Sequence, residues 1–182
     1  MNNIQPVWLR YGILYGVIAI LVSIMTYYVM NISSWILSIL SFGIMIYIML
    51  LAGKVQRNDD GGFMSYGKAF QTTFLTAFVG TAISVLFTII LINLIDPGLA
   101  DTLADKAIEE SRSTMEKLGM AEDQIDQAME SVEEASADSF TPAKQLMALM
   151  FSSLFIAIFA SIVSLFLKKE KPAFYDDDMK VV

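Results

Sequence analysis

The chain has 182 residues, of which 55% are hydrophobic and 17% are charged, and its formal net charge is −7. It contains neither histidine nor cysteine, which excludes disulfides, thiol nucleophiles, the usual zinc sites and triads with an imidazole base. A soluble domain is about a quarter charged, so this composition favours a single membrane domain.

Four long apolar stretches predict four membrane-spanning helices. They cover about residues 8–30, 35–52, 69–95 and 145–167, and Arg10 is the only charged residue within them. A helix needs about 20 apolar residues to cross a hydrocarbon core of about 30 Å. The first stretch is longer than the core of a signal peptide and has no small-residue cleavage site, so we expect it to be retained. The predicted fold is all-α, a bundle of four transmembrane helices.

Turn and capping residues mark the ends of these helices. Residues 31–34 predict a tight turn after the first span, with Ser34 as the cap of the second. The second span is expected to stop at Gly53 and Lys54. Asp96-Pro97-Gly98 predicts the end of the third span and a new helix capped by Asp96, and Thr141-Pro142 repeats this pattern before the last span.

The distribution of lysine and arginine predicts the orientation. With four spans, both termini share one side with the 53–68 loop and the 168–182 tail, and that side carries eight basic residues. The 96–141 connection and the start of the last span carry four. Because cytoplasmic segments are enriched in lysine and arginine, we expect both termini in the cytoplasm and the 96–141 connection outside.

Small and hydroxyl-bearing residues recur at spacings that suit helix packing in lipid. The candidate packing residues are Gly12 and Gly16 in the first span, Thr72, Thr76, Gly80, Ser84 and Thr88 in the third, and Ser153, Ala157 and Ser161 in the last. One interpretation is helix contact, with hydroxyls bonded to their own backbone. The other is a polar pathway lined by the third span. Pathways for ions or protons normally contain an ionisable group, and none lies in these bilayer cores, so we favour helix contact.

The 96–141 connection holds thirteen of the nineteen acidic residues. Its periodicity predicts an amphipathic helical hairpin between the third and fourth spans, with Gly119 at the end of its first helix. Ile125, Met129 and Val132 form one face of the second helix, and acidic residues form the other. The apolar face is expected either to cover the outer end of the bundle or to contact a partner protein.

Clusters of carboxylates also raise the question of cation binding. The calcium-loop pattern of alternating acids around a glycine is missing, so we expect a solvated acidic face and no metal or cofactor. Asp59 and Asp60 belong to a strong turn signal, Asn58–Gly62, and lack a partner base. No phosphate-binding loop and no nucleic-acid footprint is present.

Two segments resemble a known family. They are Gly-Gly-Phe-Met-Ser-Tyr-Gly-Lys-Ala-Phe (61–70), which enters the third span, and Glu-Lys-Leu-Gly-Met-Ala-Glu-Asp-Gln-Ile-Asp-Gln-Ala-Met (116–129) in the acidic connection. Over about residues 8–170 the chain resembles the domain of unknown function 4199 family, small integral membrane proteins found mainly in Bacteroidetes. The resemblance implies four helices and a bacterial inner-membrane location. It implies no catalytic activity.

These observations predict a non-enzymatic inner-membrane protein, a scaffold, assembly or regulatory subunit that acts through its external acidic hairpin. Its expected partners are the lipid bilayer and either a second copy or another membrane protein. One alternative is a small transporter or channel component that works as an oligomer. A second alternative is a membrane protein that responds to divalent cations through the acidic connection.

Overall fold

The computed structural model describes residues 5–28 and 34–171. This part of the chain is helical, and four of its helices are long and apolar enough to cross a membrane. The predicted all-α fold with four such helices is therefore confirmed. The helices are α1 (Val7–Tyr28), α2 (Ser34–Asp59), α3 (Tyr66–Ile90) with a π-helical end (Leu91–Ile95), α4 (Gly98–Lys117), α5 (Glu122–Asp138) and α6 (Pro142–Leu167).

The helix ends differ from the expected ones at two places. The second helix extends beyond the expected end of the span at Gly53 and Lys54, since α2 continues to Asp59 and Gly53 is buried within it. The chain turns instead at Gly61 and Gly62, whose φ angles of 78° and 89° lie in the region that glycine adopts most readily. Residues 29–33 lie outside the described part, as does the side chain of Ser34, and with them the predicted first turn and its cap.

The two helix caps predicted before a proline, at Asp96 and at Thr141, have different outcomes. Thr141 caps α6 as predicted, since its Oγ1 accepts a hydrogen bond from the Lys144 N–H at 3.4 Å. The prediction that Asp96 caps the helix after the third span is wrong. Pro97 occupies the cap position of α4 without a side-chain bond, and Asp96 Oδ2 accepts a hydrogen bond from the Tyr28 hydroxyl at 2.8 Å. Asp96 therefore connects the ends of α1 and α3.

Helix α3 lies at the centre of the bundle. It contacts α1, α2 and α6, while α1 and α6 contact α2. The main core includes Met49, Ala69, Ala77 and Ala160, all of them completely buried. Many large apolar side chains remain exposed, especially along α6, which is the pattern expected of helices whose outer faces contact lipid.

Candidate functional site

The contact between α1 and α3 is built on three glycines. Gly12 and Gly16 are buried, and a Cβ added to them would lie 3.0 Å from Val79 Cβ and 2.9 Å from Ile83 Cβ. A Cβ on Gly80 would overlap the Tyr15 ring and lie 2.9 Å from the Gly12 carbonyl oxygen. Three of the predicted packing residues thus lie in one interface, where missing side chains let the two backbones approach closely.

The hydroxyl residues of α3 bond largely to their own helix. Thr72 and Thr76 are buried, and Thr76 Oγ1 donates to the Thr72 carbonyl at 2.7 Å. Thr88 and Ser84 are half-buried, and Thr88 Oγ1 donates to the Ser84 carbonyl at 3.0 Å. Intrahelical bonds of this kind satisfy a hydroxyl without a ligand. This geometry is the one expected for helix contact.

A buried polar contact between α3 and α6 was not predicted. Thr73 Oγ1 and Ser164 Oγ are 3.1 Å apart, and both side chains are completely buried. Thr73 lies one position off the four-residue spacing that starts at Thr72, which is why the sequence pattern did not select it. Ser164 and Ala160, four positions earlier, belong to the small residues that the sequence places along the last span, but their spacing does not indicate a contact with Thr73.

The packing residues predicted in α6 do not belong to its buried face. Ser153, Ala157 and Ser161 are all half-buried, and Ser153 Oγ donates to the Met150 carbonyl at 2.6 Å. The buried line of α6 instead contains Ile156, Ala160, Val163, Ser164 and Leu167. The packing face of α6 is therefore centred on Ala160 and Ser164.

We expect Thr73→Val to lower the free energy of unfolding by about 0.6 kcal/mol, since hydrogen bonds between membrane helices contribute about that much on average. Valine retains the shape and removes the hydroxyl. Thermal unfolding in detergent micelles measures the change. Thr88→Val is the matched control, because Thr88 bonds within α3 and is only half-buried. An equal loss in both variants would contradict an interhelical role for Thr73.

A cavity of about 200 Å³ lies between α1, α2 and α3. Its polar lining consists of hydroxyl groups, namely those of Tyr15, Ser23, Ser41, Thr81 and Ser84, and it includes no charged side chain. Five residues of α3 were considered as the lining of a polar pathway, and of these only Ser84 lines this cavity. The cavity is therefore suited to neutral groups, and it does not coincide with the polar pathway considered along the third span.

A larger cleft of about 410 Å³ lies where α2 and α6 end and α3 begins. Met64 and Lys169 exchange two backbone hydrogen bonds there, of 2.8 and 2.9 Å, which join the α2–α3 loop to the segment after α6. Lys68 Nζ lies 2.7 Å from Asp60 Oδ1. The turn residue Asp60 thus takes part in a polar cluster that its sequence position alone did not indicate. We call this site the edge cleft.

Helices α4 and α5 pack against each other in the connection between α3 and α6. Ile125 and Met129 are buried at 3% and 4% exposure, and Val132 is half-buried. Arg112 of α4 lies 3.4 Å from Asp126 of α5 across this contact. The predicted partner face is therefore covered within the chain. The side of α5 that points away from α4 is polar.

No group of three or more possible metal ligands occurs in the described ranges, 5–28 and 34–171. Asp60 interacts with a lysine and with Gln56 Nε2, which lies 3.2 Å from Asp60 Oδ1. These neighbours donate hydrogen bonds and do not form a nucleophile–base pair. The chemistry that the arrangement supports is the recognition of polar and charged groups.

The four long apolar helices define the class of protein, a multi-pass helical membrane protein. The profile of the family described as "Protein of unknown function (DUF4199)" matches residues 10–169, and the chain belongs to this family. No curated protein and no solved structure gives a match to the chain.

Proposed function

We propose that the protein is a non-enzymatic scaffold, assembly or regulatory subunit of the bacterial inner membrane, acting through the α4–α5 hairpin. Both termini lie in the cytoplasm in this proposal, and the hairpin lies outside. The eight-to-four distribution of basic residues supports this orientation. The bundle anchors the hairpin at the membrane, and the hairpin contacts either another membrane protein or a second copy.

The single observation that carries the proposal is the charge that the hairpin exposes. Residues 96–141 contain thirteen acidic and three basic side chains. Asp123, Glu130 and Glu134 are exposed on the side of α5 away from the buried Ile125 and Met129. Fields of one sign attract partners of the opposite sign and repel others. The partner surface is therefore expected to be basic, which favours another membrane protein over a second copy, whose own hairpin is equally acidic.

The structure changes where the partner contact is sought. The apolar face of α5 was one candidate, and its Ile125 and Met129 side chains are buried next to α4. Exposing them to a partner would require opening the hairpin. The acidic face needs no such rearrangement, and we assign the contact to it.

A photo-crosslinking amino acid at Gln127 tests this assignment. Gln127 is exposed and lies two residues from both Ile125 and Met129, so it points away from α4. In native membranes we expect a discrete adduct that weakens about tenfold when Glu130 and Glu134 are both changed to Gln. The double Asp variant keeps the charge and should retain the adduct.

The same crosslinker at Leu154 is the positional control. Leu154 is 62% exposed on the membrane-spanning α6 and should react with lipid. The proposal is contradicted if Gln127 gives no protein adduct, or if the adduct from Gln127 persists undiminished in the double Gln variant.

The transporter alternative draws on one observation, the hydroxyl-lined cavity between α1, α2 and α3. That cavity lacks a charged lining side chain. Thr76 and Thr88 are engaged with their own helix. The cation-responsive alternative has no cluster of ligands within residues 5–28 and 34–171 to support it. We therefore place the scaffold role first.

A further inference from the structure

The hydroxyl-lined cavity between α1, α2 and α3 lies in the middle of the membrane span. Ala19 lines it, and this residue lies 12 positions after Val7 and 9 positions before Tyr28, the two ends of α1. At 1.5 Å per residue these separations are about 18 and 14 Å. The cavity is therefore at the depth of the hydrocarbon core, where no bulk water supplies hydrogen bonds.

Two serines that line this cavity have no hydrogen bond at their hydroxyl groups. Ser41 of α2 and Ser84 of α3 both line it, and neither Oγ makes a hydrogen bond within residues 5–28 and 34–171. Ser23, in contrast, donates from its Oγ to the Ala19 carbonyl at 2.9 Å. A hydroxyl group without a partner is costly in an apolar environment. The two serines therefore offer O–H donors to a group that occupies the cavity.

The rest of the lining is neutral. The Tyr15 hydroxyl interacts with the Thr81 side chain. The apolar walls are formed by Ile18, Ala19, Val22, Ile44 and Val85. All ten lining residues are half-buried and none is completely buried, so the cavity opens to the outside of the bundle, which is lipid at this depth. Because a charged group is expensive there, a ligand that enters from the bilayer is neutral.

The size of the cavity suits a six-membered ring. Its volume is about 200 Å³. An engineered apolar cavity of about 150 Å³ is large enough to bind benzene, so the additional space admits small ring substituents. A carbonyl oxygen is such a substituent, and it accepts hydrogen bonds without needing an acceptor in return. Ring carbonyl groups therefore complement the two serine hydroxyls.

We propose that the hydroxyl-lined cavity binds the ring of a neutral membrane lipid that carries two carbonyl groups and an apolar chain, the chemistry of an isoprenoid quinone. Ser41 and Ser84 donate to the carbonyl oxygens, Ile18 and Val22 contact the ring, and the chain extends into the bilayer. The polar headgroup of a diacyl lipid lies outside the hydrocarbon core, so the depth of the cavity favours a ring of low polarity.

The first test uses the unmodified protein in nanodiscs. One probe is a benzoquinone that carries two isoprene units, and the other is a benzene ring with the same chain and no carbonyl group. Retained probe is counted by native mass spectrometry. We expect the quinone to be retained about tenfold more than the benzene analogue, since each of two hydrogen bonds within a membrane contributes about threefold. Equal retention of the two probes would overturn the proposal.

Four variants locate the bound ring. Ser41→Ala and Ser84→Ala should each lower retention of the quinone about threefold and leave the benzene analogue unaffected. Ser161→Ala is the matched control, because Ser161 is also half-buried but lies on α6, outside the cavity. Ala19→Leu should lower retention of both probes, because the larger side chain fills the cavity. Thermal unfolding confirms that each variant is folded.

The variants can also contradict the proposal. Undiminished retention of the quinone in a Ser41→Ala, Ser84→Ala double variant would do so, and so would an equal loss in Ser161→Ala. Unchanged retention of both probes in Ala19→Leu would show that they bind elsewhere on the bundle. Stronger retention of an isoprenoid alcohol of the same chain length would assign the cavity to hydroxyl-bearing lipids. None of these measurements depends on the hairpin.

Discussion

Replacement of Gly80 by alanine is expected to lower the free energy of unfolding by about 1–3 kcal/mol, the usual effect of overpacking a close contact. The added methyl group would overlap the Tyr15 ring and lie 2.9 Å from the Gly12 carbonyl oxygen. The ring can rotate, but the backbone oxygen belongs to α1 and moves only if the two helices separate. Unfolding in mixed micelles, followed by circular dichroism, measures the loss.

Two other glycines provide comparisons for this prediction. Gly43 in α2 has no atom within 4 Å of an added Cβ, so Gly43→Ala is the matched control and should not destabilise the protein. Gly53→Ala should have an intermediate effect, because its Cβ would overlap the end of the Leu167 side chain, which can change rotamer. A loss in Gly43→Ala as large as that in Gly80→Ala would contradict the proposed close contact of α1 and α3.

Met129→Ala is expected to destabilise the α4–α5 hairpin by about 2–5 kcal/mol, the cost of truncating a buried apolar side chain. Met129 is 4% exposed and lies on α5, which packs against α4, so its truncation should leave a cavity. Hydrogen exchange should become faster throughout α4 and α5. The four spanning helices should keep their protection, because Leu99, at the start of α4, packs with Leu91 and Ile92 at the end of the third spanning helix, and Met129 belongs to neither cluster that holds the bundle.

Met120→Ala makes the same chemical change at the tip of the hairpin. Met120 is 37% exposed and follows Gly119, whose φ of 75° forms the turn. This variant should exchange like the unmodified protein. If Met129→Ala left exchange in α4 and α5 unchanged, or if Met120→Ala increased it equally, the apolar contact between the two helices would not be what holds the hairpin together.

The presence of four long apolar helices could be predicted from the pattern of hydropathy alone. A stretch such as 145–167, which has no charged residue, cannot be placed outside the membrane without exposing a long apolar surface to water. The sequence also identified two buried positions of α5. Helices α4 and α5 are both amphipathic, and the apolar positions Ile125 and Met129 are the ones that became buried. In water, the apolar side of a helix must be covered, so its pattern identifies the buried face.

The contacts between the spanning helices could not be predicted in the same way. Lipid is as apolar as leucine, so the lipid-facing and the protein-facing sides of a spanning helix have similar composition. The shapes of the side chains therefore determine which side of a spanning helix packs against its neighbours. Gly80 and Ser164 could be identified as small contact residues from their spacing, but Thr73 and its pairing with Ser164 were found only when α3 and α6 were placed side by side.

Long-range pairing explains the remaining differences. Gly53 is a residue type that often ends helices, yet it lies inside α2, where Leu167 of α6 packs against it. Asp96 has the sequence context of a cap, yet its carboxylate accepts a bond from Tyr28. The local sequence therefore specified which segments enter the membrane, since solvation acts on each segment separately. The contacts between side chains of different helices were decided by the tertiary structure. Whether two surfaces fit each other depends on both helices and cannot be read from either segment alone.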